Sequence, residues 1–536
     1  MSDINRDPEP TENHIRTLEN ESDTSTLEDT PQDRIENKEN VDLDKTRCYT
    51  SWIKYALGDI YADDDPNDLS DRRKNIIIAI VAFGGVSGPL GSMIYMPALL
   101  SVARDLHTTS SAVNGTVSAY VIFMGVAPLI WASLSEQYGR KRMYFISNLI
   151  SVVTSIICAF AKNIGVLIFF RAIQSAGANA GLTLGAGVIA DTIPVARRGK
   201  AYGFFYIGPL VGPVIGPTIG GFLCQYLGWQ STFVFQAILG GILLVITTVL
   251  LPETLRKGKI QQKNTQGAWQ QLKRDFKPMF VMMRDKTVIL ITTYHTIVFA
   301  SLYFLNPTIT NTFQKLYGYT EWQVGLCYLP LGIGLMIGSI VSGQQSDAVL
   351  NKAIAKGCPG KSELRLRASY PASSFIPAGY IIYGWTTQMK IEVYGPLIGL
   401  FVYALGQMFA FTPTSVYLVD SKPGSSATAV GITNCVRSIM GAITAIFSTQ
   451  AIDKAGTGIL FTILAVINVL NILLIIACSV FGEKWREQFE HQHGHAMPAT
   501  ALHETKGVPM EQVAATDEEH RVGLHMARIT SKHSAL

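Results

Sequence analysis

The residue whose type and position point most directly to chemistry is Arg171, which stands inside an otherwise uncharged apolar stretch with Gln174 one helical turn further along. A charged side chain at the depth of a bilayer costs at least about 2.5–3.5 kcal/mol on insertion scales, so Arg171 must face a cavity or a polar partner. A guanidinium stays protonated, and it can act only through its charge and hydrogen bonds on a nearby acid, water molecule or solute. A structural arginine that donates to backbone carbonyls is the alternative, and the sequence leaves both open.

A second candidate is His295, the only histidine inside an apolar stretch. An imidazole can exchange a proton near neutral pH, which suits a proton carrier, but a hydrogen-bonded structural histidine explains the residue equally well. Aromatic residues are frequent in the same stretches, and walls of aromatic rings with few charges suit amphipathic organic solutes, including cations held by ring faces. The predicted substrate and proton pathway consists of Arg171, Gln174, His295, Tyr206, Tyr294 and Tyr403.

A run from Tyr206 to Gly221 carries a glycine at every fourth position. That spacing puts the glycines on one face of a helix, where the missing side chains let another helix approach closely. Three prolines repeat on the adjacent face, which a membrane helix tolerates where neighbouring helices satisfy the freed carbonyls. A plain packing seam would explain any single pair of glycines. The whole pattern predicts a bendable helix at a moving interface, formed by Gly212, Gly216, Pro217, Gly220 and Gly221.

Length and composition indicate the class of protein in which these residues lie. The chain has 536 residues, of which 48% are hydrophobic and 16% charged, against about 25% charged in soluble domains. About half of the acidic residues precede Lys74, and the rest of the chain is mostly uncharged apolar sequence, as in a polytopic membrane protein. The seven cysteines are scattered, and no CxxC motif, catalytic triad or phosphate-binding glycine loop occurs. We therefore expect no metal, no cofactor, no nucleic-acid partner and no enzymatic activity.

Twelve apolar segments approach or exceed the roughly 20 residues that a helix needs to cross a bilayer. They are residues 76–98, 114–134, 143–161, 165–190, 200–226, 229–251, 288–312, 322–343, 369–388, 393–419, 425–450 and 456–482. Loops rich in Lys and Arg alternate with loops that nearly lack them, and positively charged loops stay inside. With an even number of spans, both termini are predicted to be cytoplasmic.

The predicted organisation follows from these spans. It comprises a disordered acidic tail at 1–72, a six-helix bundle at 73–251, a basic cytoplasmic loop at 252–287, a second six-helix bundle at 288–482 and a cytoplasmic tail at 483–536. The N-terminal tail is too polar to bury enough apolar surface to fold. The segment Ala132–Glu136 after the second span and Gly343–Asp347 after the eighth share a small-x-x-Ser-acid pattern, which indicates two related bundles.

The loop after the second span contains a candidate latch between helix ends. Gly139 permits a tight turn, and Arg140 can pair with Glu136 or with Asp191 at the inner end of the fourth span. An ordinary basic loop is the simpler alternative. The predicted latch consists of Ala132, Glu136, Gly139, Arg140, Asp191 and Asp347.

Several of these segments resemble motifs of the major facilitator superfamily. Residues 131–142 resemble its loop signature, with Ala132 in place of glycine and Glu136 in place of aspartate. Residues 167–174 resemble the fourth-helix motif of drug:proton antiporters, with Ser175 where that motif has glycine, and residues 212–223 resemble the antiporter motif of their fifth helix. Residues 89–99, 251–256 and 413–420 are similar to segments of fungal twelve-span exporters, the quinidine- and multidrug-resistance group.

The resemblance implies an all-α membrane protein with the major facilitator fold, twelve transmembrane helices in two six-helix bundles. It implies export of amphipathic organic compounds, such as drugs or toxic metabolites, in exchange for protons, with Arg171 involved in proton transfer. A proton-independent uniporter or importer of the same fold remains an alternative, as does a membrane sensor that binds solute without moving it. The expected partners are a small amphipathic substrate, protons and the lipid bilayer. We expect a monomer in the plasma membrane, with an internal membrane such as the vacuole as the alternative.

Overall fold

The computed structural model describes residues 66, 69–255, 279–355, 362–422 and 425–493. Every regular element among them is helical. Most of the predicted tail 1–72, most of the basic loop 252–287 and the residues after 493 lie outside the described part of the chain.

The described residues form fifteen α-helices, eight in the first half and seven in the second. The first half contains α1 (Asp71–Met93), α2 (Leu99–Asp105), α3 (Ser110–Tyr138), α4 (Arg140–Ala159), α5 (Ile164–Ala178), α6 (Ala180–Thr192), α7 (Val195–Leu227) and α8 (Gln230–Leu250). The second half contains α9 (Lys286–Lys315), α10 (Glu321–Cys327), α11 (Leu329–Ala355), α12 (Ala372–Gln388), α13 (Tyr394–Asp420), α14 (Ser426–Ala455) and α15 (Thr457–His493). Short 3₁₀ segments lie at Met96–Ala98 and Ser362–Ser369.

Ten helices of the described residues are long and apolar enough to cross a membrane. The two other predicted spans correspond to shorter helices. The fourth span, 165–190, is divided into α5 and α6 at Asn179, whose amide donates to the backbone oxygen of Ser175 at 2.9 Å. The ninth, 369–388, contains the 17-residue helix α12. The all-helical membrane fold is thus confirmed, and the count of twelve spans stays a prediction.

The predicted helix boundaries differ most at the two ends of the membrane region. The first span continues beyond α1 through a 3₁₀ turn around Pro97 into α2, because proline has no N–H for a regular helical hydrogen bond. The last span was expected to end at residue 482, but α15 continues to His493. Two contacts hold this extension: Arg486 pairs with Glu363 at 3.1 Å, and the ammonium group of Lys422 lies 5.1 Å from the ring centre of Phe489.

The helices pack as two bundles that correspond to the two halves of the sequence. In the first half α1 packs on α6 and α7, α3 on α5, and α4 on α8. In the second half α9 packs on α14 and α15, and α13 on α11 and α12. The halves meet where α3 contacts α14 and where α7 contacts α10 and α11.

Large apolar side chains are abundant on the outside of these bundles. Phe169, Val245, Ile398 and Leu470 are 57–61% exposed. A protein in water rarely exposes apolar patches of this extent, whereas lipid chains solvate them without cost. The molecule is therefore a multi-pass membrane protein.

Candidate functional site

Arg171 lies near the middle of α5 and is fully buried. Its Nη1 donates to the backbone oxygen of Gly91 at 3.2 Å and to Oε1 of Gln174 at 3.0 Å. Three aromatic rings surround the guanidinium, with centres 4.3–5.4 Å from Cζ: Tyr120, Tyr95 and Phe233. The fork of donors is thus oriented by α1 and α5 together and enclosed by rings from α3, α8 and the segment after α1.

Gln174 extends this arrangement to two more helices. Its Nε2 donates to Oγ of Ser155 in α4 at 2.6 Å and to Oε1 of Gln236 in α8 at 3.2 Å. The structure therefore brings Arg171 and Gln174 together, as their spacing predicts, and connects them to a polar network through the first bundle. Nε and Nη2 of Arg171 lie buried without a hydrogen-bond partner.

The second half contains a half-buried arginine of its own, Arg437 in α14. Its Cζ lies 4.5 Å from the ring centre of Phe299 and 5.2 Å from that of Phe411. Its Nε is buried without a hydrogen-bond partner. Arg437 is not among the site residues predicted from the sequence, although it gives the same signal as Arg171: a charge inside a predicted span.

His295 lies beside Arg437 and packs against the same aromatic residue. Its ring centre is 4.8 Å from that of Phe411, and its Nε2 is hydrogen-bonded to the hydroxyl of Thr414. Tyr294 is also buried, with its backbone oxygen accepting from Asn471 at 3.1 Å. The hydrogen bond supports the structural interpretation of His295, and its role in proton transfer stays a prediction.

Tyr303 connects the two arginine sites across the boundary between the halves. Its hydroxyl lies 3.2 Å from Oγ of Ser92, the residue next to the Gly91 carbonyl that binds Arg171. Its ring centre is 4.7 Å from that of Phe299, over which Arg437 lies.

The two remaining predicted pathway tyrosines lie elsewhere. Tyr403 is buried at the contact of α12 with α13, with its ring centre 4.6 Å from that of Tyr380. Tyr206 is 51% exposed and stacks with Tyr202. Among the described residues, no ring contact or hydrogen bond joins either of them to Arg171 or His295.

The glycine face of α7 lies directly against the backbone of α1. A Cβ on Gly212 would lie 2.6 Å from the backbone nitrogen of Leu90, and a Cβ on Gly220 would overlap the backbone oxygen of Ile94. Gly216 is less crowded, with its nearest atoms at 3.3 Å.

The same helix also contacts the second half through bare backbone. A Cβ on Gly221 would lie 2.5 Å from the backbone oxygen of Glu321 in α10, and a Cβ on Gly325 in the same helix would lie 2.5 Å from the backbone oxygen of Pro217. Only residues without side chains permit so close an approach of two helices.

The predicted latch lies at the N-terminal end of α7, and we call this end of the protein the latch end. Nε of Arg140 donates to Oδ2 of Asp191 at 3.1 Å, and Nη1 of Arg140 donates to Oγ of Ser135. Arg140 therefore pairs with Asp191, which is buried, rather than with Glu136, which is exposed. Oγ of Ser135 in turn donates to the backbone oxygen of Ala132 at 2.9 Å.

The turn that carries Arg140 has a backbone conformation that suits glycine and is held by an additional carboxylate. Gly139 has φ of 95°, a conformation that side chains disfavour. The carboxylate of Glu253 accepts from the backbone nitrogens of Arg140 and Lys141, at 2.9 and 3.1 Å. Burial raises the pKa of Glu253, and its backbone hydrogen bonds oppose this rise. Glu253 is not among the predicted latch residues, because it follows α8 and is more than 100 residues away from Arg140 in the sequence.

The second half has a corresponding ionic cluster, as the position of Asp347 predicts. Nη1 of Arg365 lies 2.7 Å from Oδ1 of Asp347, and its Nε lies 2.8 Å from Oδ2 of Asp420. Lys422 and Asp285 form a second, fully buried ion pair nearby.

The core of the described region thus holds fixed positive charges, hydroxyl groups and aromatic rings. No group of His, Cys, Asp and Glu within that region could hold a metal ion. Such a lining can bind and orient an organic solute by charge, hydrogen bonds and ring contacts.

Comparisons with known proteins agree with this architecture. The family model of the Major Facilitator Superfamily matches residues 81–445. The MFS-type transporter penM of Penicillium rubens is 32% identical over 446 residues, which cover 79% of this chain and 88% of that protein. The efflux pump radE of Floropilus chiversii is 30% identical over 433 residues, covering 76% and 80% of the two chains. The MFS antiporter QDR3 of Candida albicans is 25% identical over 560 aligned positions, covering 80% of each.

A solved structure shows the same fold. The D-xylose-proton symporter has a TM-score of 0.59 and 13% sequence identity, with 75% of this chain and 97% of that chain covered. The match to the family model over more than half of the chain, together with relatives above 30% identity, shows the family. This chain is a secondary transporter that belongs to the Major Facilitator Superfamily, and fungal transporters, including an efflux pump, are among its relatives.

Proposed function

We propose that the protein exports an amphipathic organic compound in exchange for protons, by alternating access of a central site to the two sides of the membrane. The latch end faces the cytoplasm in this proposal, since the basic loops lie there. The protein acts as a monomer in the plasma membrane, with both termini cytoplasmic. The names of two relatives, an efflux pump and an antiporter, support export and exchange.

The observation that carries the proposal is the position of α7 between the halves. Away from the latch end, its backbone contacts both Ile94 and Glu321, one from each half. Towards the latch end, Gly203 has no neighbouring atom within 4 Å of an added Cβ and Phe204 is 55% exposed, while Arg198 and Tyr202 hydrogen-bond to backbone oxygens of α6 in the same half. A helix that both halves hold at one end, and that is bonded to its own half and partly exposed at the other, supports a structure closed away from the latch and able to open beside it.

Hydrogen bonds between the halves support the same interpretation. Thr310 of α9 donates to the backbone oxygen of Met96 at 2.9 Å, and Ser101 donates to Glu321 at 2.6 Å. These bonds lie at the end opposite the latch. They must break for a solute to leave on that side, which is what rocking of two bundles accomplishes.

Proton coupling is the finer part of the proposal. A ligand shifts a conformational equilibrium only through unequal interaction with the two states. Arg171 provides a fixed charge whose distance to a proton site changes as the bundles move, and His295 is the candidate proton carrier. His295→Ala should then abolish transport driven by a pH gradient while substrate binding remains.

Reconstitution tests the function directly. The purified chain in liposomes with an acidic lumen should accumulate labelled amphipathic compounds above protein-free liposomes, and a protonophore should abolish the difference. Equilibration that ignores the pH gradient would indicate a uniporter. Binding without any accumulation would indicate a sensor and overturn the proposal.

A further inference from the structure

Two groups of aromatic faces in the core of the protein are already occupied by its own cations. Arg171 is enclosed by the rings of Tyr95, Tyr120 and Phe233. Arg437 lies over the rings of Phe299 and Phe411. A cationic solute would have to compete with these guanidinium groups for the same negative ring faces.

Neither guanidinium group has a counter-ion among the residues that the structure describes. No described Asp or Glu forms an ion pair with Arg171 or Arg437. Buried charges in proteins are normally paired, so two uncompensated positive charges in one core call for an anion.

Arg437 is the more accessible of the two arginines. Arg171 is fully buried and two acceptors bind its Nη1. Arg437 is only half-buried, and no described residue accepts a hydrogen bond from its guanidinium. A purely structural arginine would be expected to satisfy its donors within the protein, as Arg171 does in part.

The surroundings of Arg437 fit the body of an amphipathic molecule. Phe299 and Phe411 provide apolar surface beside the guanidinium. The hydroxyl of Tyr303 lies next to this surface, at the boundary with the first half, and provides a further polar contact. The guanidinium geometry matches two carboxylate oxygens at once.

We propose that Arg437 binds the anionic group of an amphipathic organic acid, with Arg171 contributing a second positive charge from the opposite half. The inference rests on the proposed function and narrows its substrate class to acids such as carboxylates. The sequence indicated amphipathic organic solutes in general, including cations held by ring faces, and the inference replaces cations by acids within that class. In a low-dielectric site, a carboxylate gains from both charges, whereas an ammonium group is repelled by both.

The first experiment requires only the wild-type protein. Binding of three labelled compounds that differ in one end group is measured by equilibrium dialysis with the purified full chain in nanodiscs: naphthaleneacetate, naphthaleneacetamide and naphthylethylammonium. The same series is repeated on an octyl chain. On at least one skeleton the carboxylate should bind at least about tenfold more tightly than the ammonium compound. Equal affinities, tighter binding of the amine, or no measurable carboxylate binding overturns the inference.

Variants then assign the binding to Arg437. Arg437→Gln should weaken carboxylate binding at least about tenfold and change amide binding little, while Arg437→Lys retains part of the preference because it keeps the charge. Arg104→Gln removes one exposed positive charge and serves as the control. Equal loss of acid and amide affinity in Arg437→Gln would indicate a structural role. Size-exclusion chromatography identifies misfolded variants. If the Arg437 variants misfold, the binding series on the wild-type protein alone tests the inference. Displacement by chloride as effective as displacement by octanoate would mean a simple anion site and also overturn the inference.

Transport measurements separate this inference from the proposed function. If the carboxylate binds through Arg437 but is never accumulated in liposomes, export is wrong and the binding site stands. If amines are accumulated against a proton gradient and carboxylates are neither bound nor moved, the acid-binding site is wrong and export stands.

Discussion

The two halves of the protein each hold one arginine in the middle of the membrane region, and they treat it differently. The first half encloses Arg171 completely, with three rings and two acceptors. The second half leaves Arg437 half-buried over two rings. In our proposal the same residue type is a fixed charge in one bundle and an anion-binding group in the other.

One helix contact in each half shows a difference in the same sense. In the first half α7 meets α1 through bare backbone at Gly212 and Gly220. In the second half α14 meets α9 through side chains: Gly441 faces the ring of Phe299, and Thr444 donates to the backbone oxygen of Ala300 at 2.9 Å. Backbone contact allows no repacking of side chains, so we expect the contact of α7 with α1 to be more sensitive to small substitutions than the contact of α14 with α9.

The largest effect is expected at Arg171. Arg171→Ala and Arg171→Lys should both lower the initial rate of efflux at least about 100-fold, the effect of losing roughly 3 kcal/mol, because the planar fork is what binds Gly91 and Gln174. Efflux from cells with matched amounts of membrane-inserted protein measures the loss, and Arg104→Ala is the control. Transport by Arg171→Lys alone would mean that charge matters and the fork does not. Wild-type rate and pH dependence in Arg171→Ala would reduce Arg171 to a structural residue at most.

A smaller but still large effect is expected on the glycine face. Gly220→Ala introduces a methyl group into the backbone of Ile94 and should cost about 1–3 kcal/mol of stability together with most of the transport activity. Gly216→Ala, with 3.3 Å to its neighbours, should have a milder effect, and Gly203→Ala should have none. Apparent melting temperature and efflux rate are measured for the three variants. Equal behaviour of Gly220→Ala and Gly203→Ala would contradict the close contact of α7 with α1.

The latches allow a third comparison of the halves. Arg140→Ala removes the guanidinium group that pairs with the buried carboxylate of Asp191, and we expect a loss of about 3–5 kcal/mol. Arg365→Ala should cost less, about 1 kcal/mol or below, because the side chain of Asp347 is 68% exposed to solvent. The melting temperatures of both variants in detergent decide the order. A larger loss in Arg365→Ala would show that the ionic cluster of the second half is the stronger latch.

The smallest expected effect concerns Glu253 and pH. Its raised pKa means that the folded state binds more protons than the unfolded state above the ordinary value of 4.5. Its contribution to stability therefore falls as pH rises from about 4.5 to the folded pKa. Glu253→Gln should flatten this part of the pH profile of the melting temperature, and Glu392→Gln, at an exposed position, should not. An unchanged slope in Glu253→Gln would show that its carboxylate titrates at the same pH in both states.

Much of the fold follows from the sequence because it depends on local composition. Apolar segments long enough to span a bilayer predict helices, and the Gly-rich run correctly predicts a helix in direct backbone contact with a neighbour. The proximity of Arg171 and Gln174 also follows, because residues three apart lie on one helix face. The boundary of the last helix does not follow, since the polar residues up to His493 are helical owing to contacts such as Arg486 with Glu363.

What the sequence by itself determined is therefore the class of the protein, the approximate positions of its helices and the presence of a charge at Arg171, all of which are properties of neighbouring residues. Tertiary structure alone decided that Arg140 pairs with Asp191 rather than Glu136, that Glu253 joins the latch, and that Arg437 lies beside His295. It also decided that Tyr206 is exposed while Tyr403 is buried. The physical reason is that such pairings depend on the rotation and tilt of each helix, which are set by how all the helices pack together.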